Sequence, residues 1–407
     1  MGEVKISGSK NAALPIMAAS LLSPYKISVS NIPDIADTRK MFEIMKDLGG
    51  NVIFTEGTLT NSQSSLDTKI EYLQDSGIRG SILLLGPLLT LVKEIELSMP
   101  GGCKIGDRTI DFHLEGFKKM GVTVVEKNGS ILLQNPGMNG CSIELPFPSV
   151  GATENLLMAA TAAKGETVIV NAAMEPEITD LANFLNFMGY DISGAGTSTI
   201  RIGGSRKEHV DRRCYSVIPD RIEAGTFIAL AGITNGCITL RGMVSEHLEI
   251  FISTLARSGL EIEETQDGLQ VTSVEKMNAA NIKTGPYPGF PTDLQPIFAS
   301  LMTKAQGRSN INESIFNNRF EYVKGLVSMG AKCDIDGNQL TISGPVKLHG
   351  AQVSMPDLRG GAALLLAAFS ASGTSELYDN YHVKRGYEDL VKKMSNLGLQ
   401  IEEADSH

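Results

Sequence analysis

The sequence predicts an α/β protein of two domains, each assembled from three copies of one repeat. Three observations carry this. A glycine closing an amphipathic helix recurs at Gly49, Gly121, Gly189, Gly259, Gly330 and Gly398, with spacings of 72, 68, 70, 71 and 68 residues. An Ala/Leu-rich helix recurs at the same period. The chain has 407 residues, too many for one ordinary core and suited to two.

Each of these glycines follows an apolar residue or serine (Leu48, Met120, Met188, Ser258, Met329, Leu397), as a left-handed helix C-cap does. Turn pairs such as Asn128-Gly129, Asp267-Gly268 and Asp336-Gly337 follow and read as hairpins. The Ala/Leu-rich stretches are Asn11–Leu22, Ser81–Val92, Ala152–Ala163, Ala224–Ile233, Leu294–Thr303 and Gly361–Ala371. Helices apolar on nearly every side are buried on nearly every side. The repeat therefore reads helix, strand, loop, helix, strand, turn, strand. The polar, basic stretch Arg201–Arg213 is the expected boundary between the two domains.

The totals exclude several classes. A net charge of −10 argues against a general nucleic-acid binder, which needs a basic face. A local cluster of Lys and Arg can still hold a small anion. Five cysteines, an odd number with no CxxC pair, argue against a disulfide framework or a zinc site and for a reducing, cytoplasmic setting. No apolar run reaches the ~18 residues of a membrane span.

Polar residues stand at equivalent points of the repeats, just where the buried helices begin: Lys10-Asn11, Arg79, Ser149-Val150-Gly151, Arg221, Asp293 and Arg359. A helix N-terminus attracts anions, and an added cation makes a phosphate or carboxylate site. Taken singly, each is as well explained as a cap or an ion-pair residue. The second repeat carries an unusual loop, Met99-Pro-Gly-Gly-Cys103-Lys-Ile-Gly-Asp-Arg108. Its glycines and proline read as an exposed, mobile loop, and Lys104 and Arg108 favour a Cys103 thiolate. Cys141, Cys237 and Cys333, in apolar strand-like runs, read as packing residues, as does Cys214. Asp293 opens an apolar helix and reads either as its N-cap or as a general base beside a substrate hydroxyl. Histidines are scattered and support no His-based triad; HExxH, GxSxG, Walker A and Rossmann signatures are absent.

A set of phrases then resembles one family in that family's order: Ser7-Gly-Ser-Lys10-Asn11-Ala-Ala, Pro100-Gly-Gly-Cys103-Lys-Ile-Gly, Phe147-Pro-Ser-Val-Gly-Ala-Thr-Glu-Asn155, Glu175-Pro-Glu-Ile, Pro219-Asp-Arg-Ile-Glu223, Gly289-Phe-Pro-Thr-Asp293, Asp357-Leu-Arg359 and Arg385-Gly-Tyr387. They resemble the UDP-N-acetylglucosamine 1-carboxyvinyltransferases, enolpyruvyl transferases that open peptidoglycan synthesis, from about residue 2 to residue 402. The resemblance implies a two-domain inside-out α/β barrel of six βαβαββ repeats with the active site in the interdomain cleft. One domain would be 10–217 and the other 1–9 with 218–407.

The resemblance also implies roles. Cys103 would be the acid on a lid loop and the thiol alkylated by fosfomycin-type inhibitors. Asp293 would take the proton of the sugar 3-hydroxyl, and Lys10, Arg108 and Arg385 would hold phosphoenolpyruvate. Asn11, Arg79, Arg108, Thr109, Ile110, Asp111, Phe112, Ser149, Val150, Gly151 and Ile315 would bind UDP-N-acetylglucosamine. Asp357 and Arg359 would support the phosphoenolpyruvate end. No cofactor, metal, nucleic acid or membrane is implied. The family's Ile-Gly-Ala-Arg-Pro is Ile105-Gly-Asp107-Arg108-Thr109 here, and Lys384 replaces an acidic residue before Arg385. The family's leading dozen residues, a strand of the first domain, are expected to be absent. Two alternatives follow: transfer of the enolpyruvyl group to another nucleotide, or a non-catalytic UDP-sugar-binding paralogue.

Overall fold

The computed structural model describes residues 2–62, 69–73, 79–98, 110–127, 130–206, 214–379 and 381–403. The chain opens with strand β1 (Gly2–Lys5). The first repeat is α1 (Lys10–Ser20), β2 (Ile27–Ser30), α2 (Ala36–Asp47), β3 (Asn51–Thr55) and β4 (Thr58–Ser62). The second is β5 (Lys69–Leu73), a 3₁₀ turn at Arg79–Leu84 leading into α3 (Leu85–Leu91), then β6 (Glu94–Ser98), α4 (Asp111–Lys119), β7 (Thr123–Lys127) and β8 (Ser130–Gln134). The third is β9 (Ser142–Glu144), α5 (Val150–Ala160), β10 (Thr167–Val170), α6 (Pro176–Phe187), β11 (Tyr190–Ser193) and β12 (Thr199–Arg206), followed by β13 (Cys214–Ser216).

The fourth repeat is α7 (Arg221–Ile233), β14 (Cys237–Arg241), α8 (Glu249–Arg257), β15 (Glu261–Thr265) and β16 (Gly268–Thr272). The fifth is β17 (Ile282–Lys283), α9 (Gln295–Met302), β18 (Gly307–Asn312), α10 (Val323–Ser328), β19 (Lys332–Asp336) and β20 (Gln339–Gly344). The sixth is β21 (Gln352–Ser354), α11 (Leu358–Ser370), β22 (Glu376–Tyr378) and α12 (Leu390–Asn396). Among the described residues it lacks the closing pair of strands.

Five repeats build a four-stranded sheet in one order, with the leading strand beside the second and the fourth strand between second and third, as in β17-β18-β20-β19. The two leading strands that seem missing are exchanged along the chain. β1 runs parallel to β14, with Gly2 opposite Ile238, and completes the fourth repeat's sheet. β13 runs parallel to β2, with Cys214 opposite Ser28, and completes the first repeat's sheet. The first repeat's sheet is four-stranded among the described residues.

By contacts, the described residues fall into two compact units, one of residues 2–7 with 219–403 and the other of residues 8–218. The chain changes unit at Ser7/Gly8 and Ile218/Pro219. On one side of each change Asp220 N–H donates to Ser7 O at 2.8 Å; on the other Ser9 N–H donates to Ile218 O at 2.8 Å. The boundary expected at Arg201–Arg213 is corrected: Arg201–Arg206 lies inside β12, paired with β10, and residues 207–213 lie outside the described ones.

The first helix of each repeat is buried on all sides. Every residue of α7 is buried, as are Ala12–Ser20 of α1 and Ala152–Ala160 of α5. In the unit of residues 219–403, α7, α9 and α11 pack on one another pairwise. Gly225 permits this approach: a Cβ there would stand 2.6 Å from Leu294 Cδ2. The second helices bury one face only; α8 buries Phe251, Thr254 and Leu255. The six repeated glycines all have positive φ, from 86° at Gly49 to 110° at Gly259, the left-handed cap expected of them. In the second repeat the expected helix over Ser81–Val92 starts only at Leu85. Pro87 has no N–H to donate back to the preceding turn, so it sits in the first turn of α3, where that donor is not needed.

Candidate active site

Lys10, Asn11, Ser149, Val150, Gly151, Asp293 and Arg359 stand at the starts of the buried helices. In the unit of residues 8–218, Lys10 and Asn11 open α1 behind the N-cap Ser9, whose side chain accepts from Ala12 N–H at 3.4 Å. Lys10 Nζ lies 2.6 Å from Asp37 Oδ2, and both side chains are largely buried. Asp37, in the first turn of α2, had no signal in the sequence reading. The ion pair fixes the Lys10 ammonium in place.

Ser149 caps α5 as Ser9 caps α1, accepting from Ala152 N–H at 3.4 Å, and Val150 and Gly151 follow it. A Cβ on Gly151 would stand 3.4 Å from His113 Cε1, so the start of α5 lies against α4. α4 carries Asp111 and Phe112 in its first turn behind Ile110. Asn155, one turn on in α5, joins three elements. Its Oδ1 accepts from Gly86 N–H at 2.7 Å, and its Nδ2 donates to Ile82 O at 3.0 Å and meets His113 Nδ1 at 2.9 Å. With Oδ1 committed to Gly86, Nδ2 is the donor; His113 Nδ1 accepts and its proton belongs on Nε2. Arg79 opens the 3₁₀ turn that contains Ile82. Cys103, Lys104, Asp107, Arg108 and Thr109 lie outside the described residues.

In the unit of residues 219–403 the centre is Asp293, in a 3₁₀ turn (Thr292–Leu294) just before α9. It is not an N-cap: that position is Pro291 for the 3₁₀ turn and Leu294 for α9. Its Oδ1 instead meets Arg319 Nη2 at 3.1 Å, and its Oδ2 meets Arg359 Nη2 at 3.1 Å and Nε at 3.2 Å. The two arginine side chains are 2% and 4% exposed and the carboxylate 28%. Two guanidiniums fix the orientation of the Asp293 carboxylate. Arg359 Nη1 and Arg319 Nε are buried without a hydrogen-bond partner among the described residues. Burial works against the Arg359 charge, but Asp293 and Tyr387 outweigh it and the guanidinium's pKa is raised.

Asp357 caps α11, its Oδ1 accepting from Arg359 N–H at 2.9 Å and Gly360 N–H at 3.1 Å, so it sets where Arg359 leaves the helix. Arg359 lies over the Tyr387 ring, 5.5 Å from its centroid, and Tyr387 Oη meets Thr226 Oγ1 at 2.9 Å. Tyr387 thus pins the turn that ends at Arg385 against α7 and Arg359. Ile315 follows β18, and its N–H donates to the buried Glu313 Oε1 at 2.9 Å. Arg319 and Glu313 were not singled out from the sequence. Among the described residues no three His, Cys, Asp or Glu side chains group to hold a metal, and no helix is long and apolar enough to cross a membrane.

Six related repeats with polar residues at the helix starts make the scaffold, and the comparisons with known proteins give its family. Residues 1–394 match the model of the EPSP synthase (3-phosphoshikimate 1-carboxyvinyltransferase) family, and the chain belongs to that family of transferases. Within it, the chain is 45% identical to the UDP-N-acetylglucosamine 1-carboxyvinyltransferase of Finegoldia magna, over 98% of this chain and 96% of that one. It is also 45% identical, with the same coverage, to UDP-N-acetylglucosamine 1-carboxyvinyltransferase 1 of Caldanaerobacter subterraneus subsp. tengcongensis. Among solved structures, the enolpyruvyl transferase NikO from Streptomyces tendae is similar with a TM-score of 0.89 and 27% identity, covering 98% of this chain and 95% of that one. An EPSP synthase from Acinetobacter baumannii shares the fold at a TM-score of 0.77 and 18% identity, covering 99% of this chain and 97% of that one.

Proposed function

We infer that this protein transfers the enolpyruvyl group of phosphoenolpyruvate to the 3-hydroxyl of UDP-N-acetylglucosamine, releasing phosphate, the step that commits the sugar to peptidoglycan. The observation that carries the reading is the Asp293 carboxylate held between two buried arginines. Asp293 accepts the proton of the sugar hydroxyl, whose oxygen adds to C2 of phosphoenolpyruvate as C3 gains a proton. Loss of a C3 proton and of phosphate then restores the double bond. Arg319 and Arg359, the guanidiniums on either side of Asp293, are the cations for the substrate carboxylate. Lys10, Arg108 and Arg385 take the phosphate, and Cys103 supplies the proton to C3 and is the thiol a fosfomycin-type epoxide alkylates.

Asn11, Arg79, residues 108–112, Ser149, Val150, Gly151 and Ile315 take the nucleotide sugar. Oriented donors at helix starts suit its diphosphate. The relatives 45% identical over nearly the whole chain, named for this acceptor, favour it over another nucleotide. Phosphate release from phosphoenolpyruvate is the test. It should require UDP-N-acetylglucosamine, fail with UMP and be abolished by fosfomycin. Release with UMP alone, or binding of the sugar nucleotide without any release, overturns the reading.

A further inference from the structure

Two loops assigned to the substrates, the one carrying Asp293 and the one carrying Ile315, meet at a single buried side chain. Glu313 is 1% exposed. Its Oε1 accepts from Thr284 Oγ1 at 2.8 Å, Ile315 N–H at 2.9 Å and Phe316 N–H at 3.2 Å. Its Oε2 accepts from Thr292 Oγ1 at 2.9 Å. None of these donors is charged. A carboxylate taken out of water is tolerated only where its lone pairs are met, and here neutral donors from two loops meet them.

The geometry is that of a yoke. The two backbone bonds close the turn at 313–316 on its own side chain. Thr284 ties that turn to the preceding strand end, since its Oγ1 also accepts from Ser314 N–H at 2.8 Å. Thr292, reached through the other oxygen, is the residue before Asp293.

We propose that Glu313 is a positioning residue that holds the Asp293 turn and the Ile315 turn in one fixed relation, so that the base and the sugar-contacting backbone are set by one carboxylate. This rests on the roles given above to Asp293 and Ile315. The two oxygens serve different loops, so the two effects separate. Thr292→Val frees only the Asp293 side, and Thr284→Val frees only the Ile315 side. Glu313→Gln keeps an acceptor for the three Oε1 donors and offers Thr292 an N–H, which its hydroxyl accepts.

The experiment is steady-state phosphate release by the full chain with phosphoenolpyruvate and UDP-N-acetylglucosamine, with a thermal midpoint for every variant. Thr292→Val should lose about fivefold, mainly in kcat, and Thr284→Val about fivefold, mainly as a higher KM for the sugar nucleotide, the size of one neutral hydrogen bond. Glu313→Ala should lose both together and Glu313→Gln should restore both to within about threefold. A purely structural carboxylate lowers the midpoint and the active fraction without this split. If the wild type turns over and the two valine variants show one common profile, Glu313 does not position the loops. If the wild type releases no phosphate with this pair of substrates, the functional reading itself fails.

Discussion

Asp293→Asn is the sharpest perturbation of the centre because it removes charge and little volume. The wild-type carboxylate is the anion between Arg319 and Arg359, whose side chains are 2% and 4% exposed. Breaking a buried pair by removing one partner costs about 3–5 kcal/mol. The partial exposure of Asp293 puts the expectation at about 3 kcal/mol. For a unit of roughly 200 residues that is a fall of about 6–12 °C in Tm. Loss of a general base lowers kcat by about 10³-fold, while phosphoenolpyruvate affinity, which rests on cations, changes by less than about tenfold. Phosphate release gives kcat. Calorimetry gives affinity, since the chain has no tryptophan to report binding. Adding Arg319→Met to Asp293→Asn removes one orphaned cation and should recover part of the Tm with none of the turnover. An unchanged Tm would refute the ion-pair argument, and equal losses of kcat and phosphoenolpyruvate affinity would refute the base.

The other predictions concern the thiol, proton linkage and the caps. Cys103→Ala should abolish fosfomycin labelling read by intact mass and cut turnover steeply; labelling of one equivalent in the variant would refute the assignment. Burial pushes Glu223 up to about 7, against the pull of Lys393 at 2.6 Å, and pushes Asp180 up to about 6. Both folded-state values exceed those of free carboxyls, so the stabilisation is complete below the unfolded pKa and is lost as pH rises through about 6–7. The thermal midpoint should fall between about pH 4 and 7 and level off above that, and Glu223→Gln should flatten that slope. Gly398 has a φ of 89° and nothing near its absent Cβ, so Gly398→Ala should cost about 1 kcal/mol in denaturant unfolding. Gly330→Ala should cost more, because its Cβ would also stand 3.1 Å from the His349 ring.

Much of the architecture was legible because it repeats. A glycine cap every ~70 residues and a helix apolar on all sides are local signals, and burial follows from them without knowledge of partners. The chain's change of unit was misread at Arg201–Arg213 because a polar, basic stretch looks alike as a linker and as the exposed face of a sheet strand. β12 is that second case: Ile200 and Ile202 are buried while Arg201 between them is exposed. The exchange of β1 and β13 was invisible for another reason. A leading strand is read from the residues that precede its helix, and here each comes from elsewhere in the chain.

The partners of the site escaped because pairing is tertiary, yet the repeat carried a signal for them. Each repeat presents the start of a buried helix and, after one strand and a loop, the region where its second helix begins. That interval is nearly constant. Lys10 pairs with Asp37, 27 residues on, and Asp293 with Arg319, 26 residues on. The two pairs have opposite polarity on the same scaffold, which is what one geometry reused with different side chains produces. Followed from the other helix starts, the same register leads from Ser149 to Glu175, the N-cap residue of α6, and from Arg359 to Arg385, the end of the 3₁₀ turn before α12. Candidate residues therefore come from two rings of positions, not one. The first ring was readable as polar residues interrupting apolar runs. The second lies in polar loops, where a lone Asp37 or Arg319 has no contrast with its neighbours. Only the period distinguishes them, and the period points to Asp37 for Lys10 and to Arg319 for Asp293.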